Sequence, residues 1–135
     1  MVDRPLGETG SSASRHTLPA TPSSVPAIRH QLDRVLASLH TTPARAADIR
    51  LALTEACTNA AQHAYPDGSS GEMVIVFAVS PEALVVSVVD TGNGIDGPSG
   101  QSGLGVGLPV IDAVADSVTI TSLRPGTSIQ MTFRR

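Results

Sequence analysis

Two apolar runs, Glu72–Val79 (EMVIVFAV) and Leu84–Asp90 (LVVSVVD), are separated only by Ser80-Pro81-Glu82-Ala83. Both are too short for a stable helix and are rich in β-branched residues, so a turn between them makes an antiparallel hairpin. Whatever else the chain forms must cover that hairpin. Hydrophobic residues make up 41% of the sequence, but with two Phe, one Tyr and no Trp the core must be built from Val, Ile, Leu and Ala.

Around the hairpin the apolar period changes. Ile28, Leu32, Val35, Leu36 and Leu39 recur at helical spacing after Ser23-Ser24, either of which is an expected N-cap, with Pro26 in the first turn. This predicts a helix over about 25–40. Thr42-Pro43 opens a second helix, expected over 43–64 and stopped before Pro66-Asp67-Gly68. A short strand is expected at His16–Ala20, a short helix over 108–115, and two strands over 117–123 and 127–133 joined by Arg124-Pro125-Gly126. The order β, α, α, β, β, α, β, β predicts an α+β two-layer sandwich: a mixed, mostly antiparallel sheet with helices on one face. Residues 1–15 are rich in Gly and Ser without periodicity and are expected to be a flexible tail, leaving 16–135 as one domain.

Charge and composition narrow the function. All nine basic residues are Arg, and the chain has no Lys. This excludes a Walker A loop and a eukaryotic-type protein kinase, both of which place a Lys on the nucleotide phosphates. The net charge of −3, with no basic run and no aromatic platform, argues against direct nucleic-acid binding. The single cysteine, Cys57, permits no internal disulfide, no stretch approaches a membrane span, and the first residues lack the apolar segment of a secretory signal. A cytoplasmic protein is expected.

Three constellations remain. Glu55, Asn59 and His63 recur every four residues and share one helix face. That ridge reads equally as a solvated face or as a site where a carboxamide and a carboxylate meet a hard cation such as Mg2+, with Glu55 able to act as a base toward a hydroxyl. Asp90-Thr91-Gly92-Asn93-Gly94 ends an apolar strand on a carboxylate. By itself it is good turn chemistry, yet a strand-end carboxylate can also accept the exocyclic N–H of adenine while the glycines let the base approach. Gly103-Leu104-Gly105-Val106-Gly107 precedes the short helix, where backbone N–H groups can bind an anion. It does not follow a strand and lacks the G-x-G-x-x-G spacing, so it is not a Rossmann loop. A plain flexible loop is the competing reading.

In order and spacing the three sets resemble one family. Glu55-Ala-Cys-Thr-Asn59-Ala is similar to the N box of the Bergerat, or GHKL, ATPase superfamily, Asp90 to Gly94 to its G1 box, Gly103 to Gly107 to its G2 box, and Gly126-Thr127 to its late Gly-Thr pair. Within the superfamily, LALTEACTNAAQHAY (Leu51 to Tyr65) and SSVPAIRHQLDRVL (Ser23 to Leu36) most resemble the anti-sigma-factor serine kinases of the RsbW and SpoIIAB kind. The resemblance covers about residues 16–135.

The resemblance implies an ATP-binding domain in which Asn59 coordinates the Mg2+ that bridges the phosphates and Glu55 orients or deprotonates the attacking hydroxyl. Asp90 would read adenine, with Thr127 supporting it through a water, Gly92 and Gly94 shaping the base pocket and Ile95 packing on the ring. Gly103, Leu104, Gly105, Val106 and Gly107 would wrap the phosphates, and Arg29 on the first helix matches an arginine that reaches the γ-phosphate; a plain surface role beside His30 and Arg34 stands open for it. The implied partners are a sigma factor and an anti-anti-sigma protein of the STAS fold, phosphorylated on serine, and a homodimer is compatible with the resemblance. Only eight residues separate Gly94 from Gly103, a shorter ATP lid than such kinases carry, which leaves open a nucleotide-holding anti-sigma module without kinase activity. The phrase GLGVGLP (Gly103 to Pro109) is also similar to RsbT-type switch kinases.

Overall fold

The computed structural model describes residues 11–63, 71–91, 108–123 and 125–135. The glycine-rich segments, the Pro66-Asp67-Gly68 turn, Arg124 and residues 1–10 lie outside the described residues.

The hairpin predicted from the two β-branched runs forms as β2 (Glu72–Val79) and β3 (Ala83–Asp90), antiparallel, with Val79 opposite Leu84 and Met73 opposite Asp90. Its turn is held by one side chain: the Ser80 hydroxyl oxygen accepts from the N–H groups of Glu82 and Ala83 at 3.3 and 3.2 Å, while the Ser80 N–H donates to the Ala83 carbonyl. β1 (Ser12–Pro19) pairs with β2, while β5 (Thr127–Arg134) pairs with β3 and is flanked by β4 (Ser117–Ser122). The sheet order is β1-β2-β3-β5-β4.

All pairings among the described residues are antiparallel, which corrects the expectation of a mixed sheet. β4 does run in the same direction as β3. The two are not neighbours, because β5 reverses and fills the space between them. A second correction concerns β1, which begins at Ser12, four residues before the expected His16. Ser12 to Arg15, read as tail, are exposed and gain their extended form from backbone pairing with Val76 to Val79 rather than from an apolar pattern.

The helices are α1 (Val25–Ser38), α2 (Pro43–His63) and α3 (Leu108–Val114). Thr42 caps α2, its hydroxyl accepting from the Arg45 N–H at 3.2 Å. Ser24 does not cap α1 as expected. A 3-10 turn over Pro22–Ser24 already gives it helical dihedrals (φ −78°, ψ −16°), and its hydroxyl lies 3.4 Å from that of Thr21 instead. α1 ends in a Schellman arrangement, with the His40 N–H on the Ala37 carbonyl and the Thr41 N–H on the Leu36 carbonyl. The residue at the left-handed position is His40, at φ +55°, rather than the usual glycine.

Burial alternates along the central strands, so one sheet face is covered and the other is half open. The covered face carries Met73, Ile75 and Phe77 from β2, Leu84, Val86 and Val88 from β3, and Ile129, Met131 and Phe133 from β5. Against it pack Ile28, Leu32 and Leu36 of α1, Ile49, Leu53 and Cys57 of α2, and Ile111 of α3. Fully burying side chains of this size contributes roughly 1.5–3 kcal/mol each, so this layer contact holds the helices on a single face. The result is the α+β two-layer sandwich.

Candidate functional site

The covered face is apolar until its last row. Strand register lines up Leu18, Met73, Asp90, Thr127 and Ser122 across β1, β2, β3, β5 and β4. In that row Asp90 and Thr127 take inward positions that are apolar in the three rows before them, and both are buried, at 7% and 4% exposure. Burying polar groups here costs free energy unless something pairs with them. The Thr127 hydroxyl has no hydrogen-bond partner among the described residues.

Gly126 explains how the two strand ends meet. It adopts φ +114°, a conformation that L side chains rarely take, and a Cβ there would collide with the Asp90 carbonyl oxygen and lie 2.9 Å from the Thr91 Cα. The β4–β5 turn therefore rests directly on the backbone that carries Asp90, closed by the Leu123 N–H on the Gly126 carbonyl at 2.9 Å.

The second part of the site stands on α2, which packs on β3 and on α3. Glu55 is half-buried and Asn59 is 5% exposed. They are one helical turn apart among fully buried Ala52, Leu53, Ala56 and Cys57. The Asn59 side-chain nitrogen has no partner among the described residues. An unsatisfied buried amide of this kind costs about 1–3 kcal/mol. Orphaned polar atoms thus stand on both elements, one on the helix and one at the strand end.

These residues fit a magnesium nucleotide on their own chemistry. A carboxamide can offer an oxygen to a hard cation or an N–H to a phosphate oxygen, and the unpartnered side-chain nitrogen of Asn59 suits the second of these. Among the described residues no three His, Cys, Asp or Glu side chains converge on a metal position. Mg2+ does not require such a cage, since it is commonly held by one or two protein ligands together with substrate phosphates.

Arg29 lies on the exposed face of α1, next to buried Ile28, and forms no ion pair among the described residues. Gly92, Gly94, Ile95, Gly103, Leu104, Gly105, Val106 and Gly107 lie outside the described residues. Sequence reasoning overlooked Met73, which is fully buried directly across from Asp90 and forms an apolar neighbour to the carboxylate's strand. Its inward position was legible in the alternation of E-M-V-I-V-F. Cys57 sits on α2 between Glu55 and Asn59, and burial pushes its thiol up to about 12, so it serves as an apolar core residue.

Helices layered on one face of a five-stranded antiparallel sheet, with polar groups gathered at one end of that face, define a nucleotide-binding domain of the histidine kinase-like ATPase class. The sequence profile of the histidine kinase-like ATPase domain matches residues 18–133, and the chain belongs to that family. It is 32% identical over 130 residues to the serine-protein kinase RsbW of Bacillus velezensis, a match covering 85% of this chain and 81% of that protein, and equally similar to RsbW of Bacillus subtilis. The serine-protein kinase RsbW of Staphylococcus aureus is 28% identical over 131 residues, covering 85% of this chain and 82% of that one. Among solved structures, the RsbU and RsbW domains of Rv1364c from Mycobacterium tuberculosis superpose with a TM-score of 0.72 at 28% identity. That superposition takes in 90% of this chain and 32% of the other, so the chain spans about a third of that protein's length.

Proposed function

We propose that this protein is an ATP-dependent serine protein kinase that also sequesters a sigma factor. ATP as phosphoryl donor rests on family membership, and kinase activity on the similarity to RsbW over most of both chains. The observation that carries the site is the buried Asn59, whose side-chain nitrogen has no partner among the described residues, one helical turn from Glu55.

In this reading Asp90, with Thr127 beside it, accepts the exocyclic N–H of adenine and fixes the base at the end of β3. Asn59 holds Mg2+ against the phosphates; when bound, the ion offsets charge on the phosphate oxygens. Glu55 accepts the proton of a serine hydroxyl on the partner as its oxygen bonds to the γ-phosphorus. The bond from that phosphorus to the β–γ bridging oxygen breaks, ADP leaves, and the partner carries phosphoserine. Gly103 to Gly107 wrap the phosphates, and Arg29 reaches the γ-phosphate and offsets its developing charge. The phosphorylated partner is a STAS-type anti-anti-sigma protein, and its added negative charge breaks the contact with the kinase.

The lid of eight residues between Gly94 and Gly103 favours a second reading, an anti-sigma module that binds nucleotide without transferring phosphate. Labelled ATP with a cognate STAS partner separates them. The kinase reading expects phosphoserine on the partner, lost in Glu55→Gln with ATP affinity retained. Intact binding with no transfer by the wild-type protein leaves the module reading. Recovery of a scaffold or phosphatase instead of a sigma factor in a pull-down would assign the chain to the RsbT-like switch kinases.

A further inference from the structure

Leu51 is the one large hydrophobic side chain that is exposed among the described residues, at 43%. A single exposed leucine is ordinary on a protein surface; its position gives it meaning here. Leu51, Glu55 and Asn59 follow one another at four-residue intervals on α2 and form one ridge. Burial rises along that ridge: Leu51 is exposed, Glu55 half-buried and Asn59 buried. Each step of four residues turns about 40° around the helix axis, which carries the ridge from solvent into the packed interior. Asn59 thus stands at the nucleotide end of the ridge, Leu51 at the solvent end, and Glu55 between them.

The neighbours of Leu51 on α2 leave it open. Ala47, one turn earlier, is exposed and offers only a methyl group. Arg50 has a stem long enough to cover a leucine, but its guanidinium is turned to α1, where it donates to Asp33 at 2.6 Å. Thr54 donates its hydroxyl back to the Arg50 carbonyl at 2.8 Å. Glu55 leans toward Leu51, because side chains on a helix tilt toward its N-terminus. The charge around Leu51 on α2 is acidic: Asp48 lies three residues before it and Glu55 four after, and Arg50 is already paired with Asp33.

We propose that Leu51 determines which serine is accepted, by packing against an aliphatic side chain one or two residues from the acceptor serine in a segment without acidic flanks. This rests on the kinase reading given above. The β-carbons of residues four apart on a helix are about 5–6 Å from each other. Residues one and two places along an extended segment are about 3.8 and 7 Å away. A segment whose serine meets Glu55 therefore lays a flanking side chain on Leu51. An aliphatic flank takes the exposed face of Leu51 out of water. A carboxylate there would lose water against an apolar surface beside Asp48 and Glu55.

The test uses the full chain, labelled with nitrogen-15 and holding a non-hydrolysable Mg-ATP analogue, titrated with acetyl-Gly-Leu-Ser-Leu-Gly-amide. Saturable shifts are expected at the amides of Leu51, Thr54 and Glu55. Leu51→Ala, shown to be folded by an unchanged spectrum elsewhere, should bind this peptide about tenfold more weakly, and Leu51→Met should bind it as the wild type does. With ATP as donor, Leu51→Ala should raise the KM for the peptide by the same factor and leave the KM for ATP unchanged. Acetyl-Gly-Ala-Ser-Ala-Gly-amide should bind wild type and Leu51→Ala equally weakly, and acetyl-Gly-Glu-Ser-Glu-Gly-amide should shift nothing at these amides. The inference is overturned if the leucine peptide shifts none of the three amides, if Leu51→Ala leaves its affinity unchanged, or if the alanine or glutamate peptide binds as well. Phosphate transfer that ignores Leu51 overturns this inference alone, whereas Leu51-dependent binding without any transfer supports the contact and contradicts the kinase reading.

Discussion

Asp90 and Thr127 stand directly opposite each other across the β3–β5 pairing, buried in a row where the covered face of the sheet changes from apolar to polar. Asp90→Asn keeps the size of the side chain but removes its charge. ATP affinity should fall roughly 10- to 100-fold, the range for losing a hydrogen bond to a charged group, while far-UV dichroism stays unchanged. Fluorescent-nucleotide titration measures the effect, and wild-type affinity would reduce Asp90 to a strand-end turn residue.

Asn59 gives a prediction of opposite sign for stability and binding. The ligand-free protein carries the cost of its unpartnered amide. Asn59→Ala removes that amide and raises helix propensity, so the apo protein should gain about 1 kcal/mol, near 3 °C in Tm for a chain of this size. Mg-ATP should no longer raise the melting temperature of the variant. A lower apo Tm in differential scanning calorimetry would mean that Asn59 is paired within the protein.

Gly126→Ala places a methyl group against the backbone of Asp90 and Thr91 in a conformation that favours glycine. A loss of roughly 2–3 kcal/mol in urea unfolding is expected, from strain at positive φ and displacement of the strand end. Because the displaced backbone carries Asp90, ATP affinity should fall with it. Wild-type stability would show that the turn does not rest on β3.

Asp116 supplies a pH dependence. The Arg134 N–H, donating at 2.6 Å, holds its carboxyl below the usual carboxylate value; Arg45 adds to this and slight desolvation opposes it. A carboxylate depressed in the folded state contributes stability above its unfolded pKa and loses it as pH falls through the folded one. The contribution should therefore be present near neutrality and fade below about pH 4. It should be modest because Asp116 is exposed and screened by solvent. Asp116→Asn should remove this part of the acid dependence in thermal melts from pH 7 to pH 3, and an unchanged profile would refute it.

Much of the fold was legible because the chain alternates cleanly where it is half-buried. β2 falls on the expected Glu72–Val79, and α2 lies within one residue of its expected end. The misses have physical causes. Ser12 to Arg15 are exposed, so no period marks their strand, and only pairing with β2 orders them. The insertion of β5 between β3 and β4 is a long-range choice that no local pattern encodes. Ser24 does not cap α1 because it belongs to the 3-10 turn over Pro22–Ser24, where its N–H already donates to the Thr21 carbonyl. At the site, Asn59 and Asp90 stood out as polar residues in apolar frames, Thr127 was indicated only by the family resemblance, and the structure shows all three buried. Their lack of internal partners at Asn59 and Thr127 could be learned only from the packed chain.

In the proposed function Asn59, Asp90 and Thr127 are buried to hold a magnesium-charged adenine nucleotide. Isothermal titration of ATP into the purified protein, with Mg2+ and then with a chelator, measures it most directly. Saturable one-site heat with Mg2+, strongly reduced by chelation and absent in Asn59→Ala, is the predicted result. No heat from ATP or ADP under any divalent-ion condition would contradict the account.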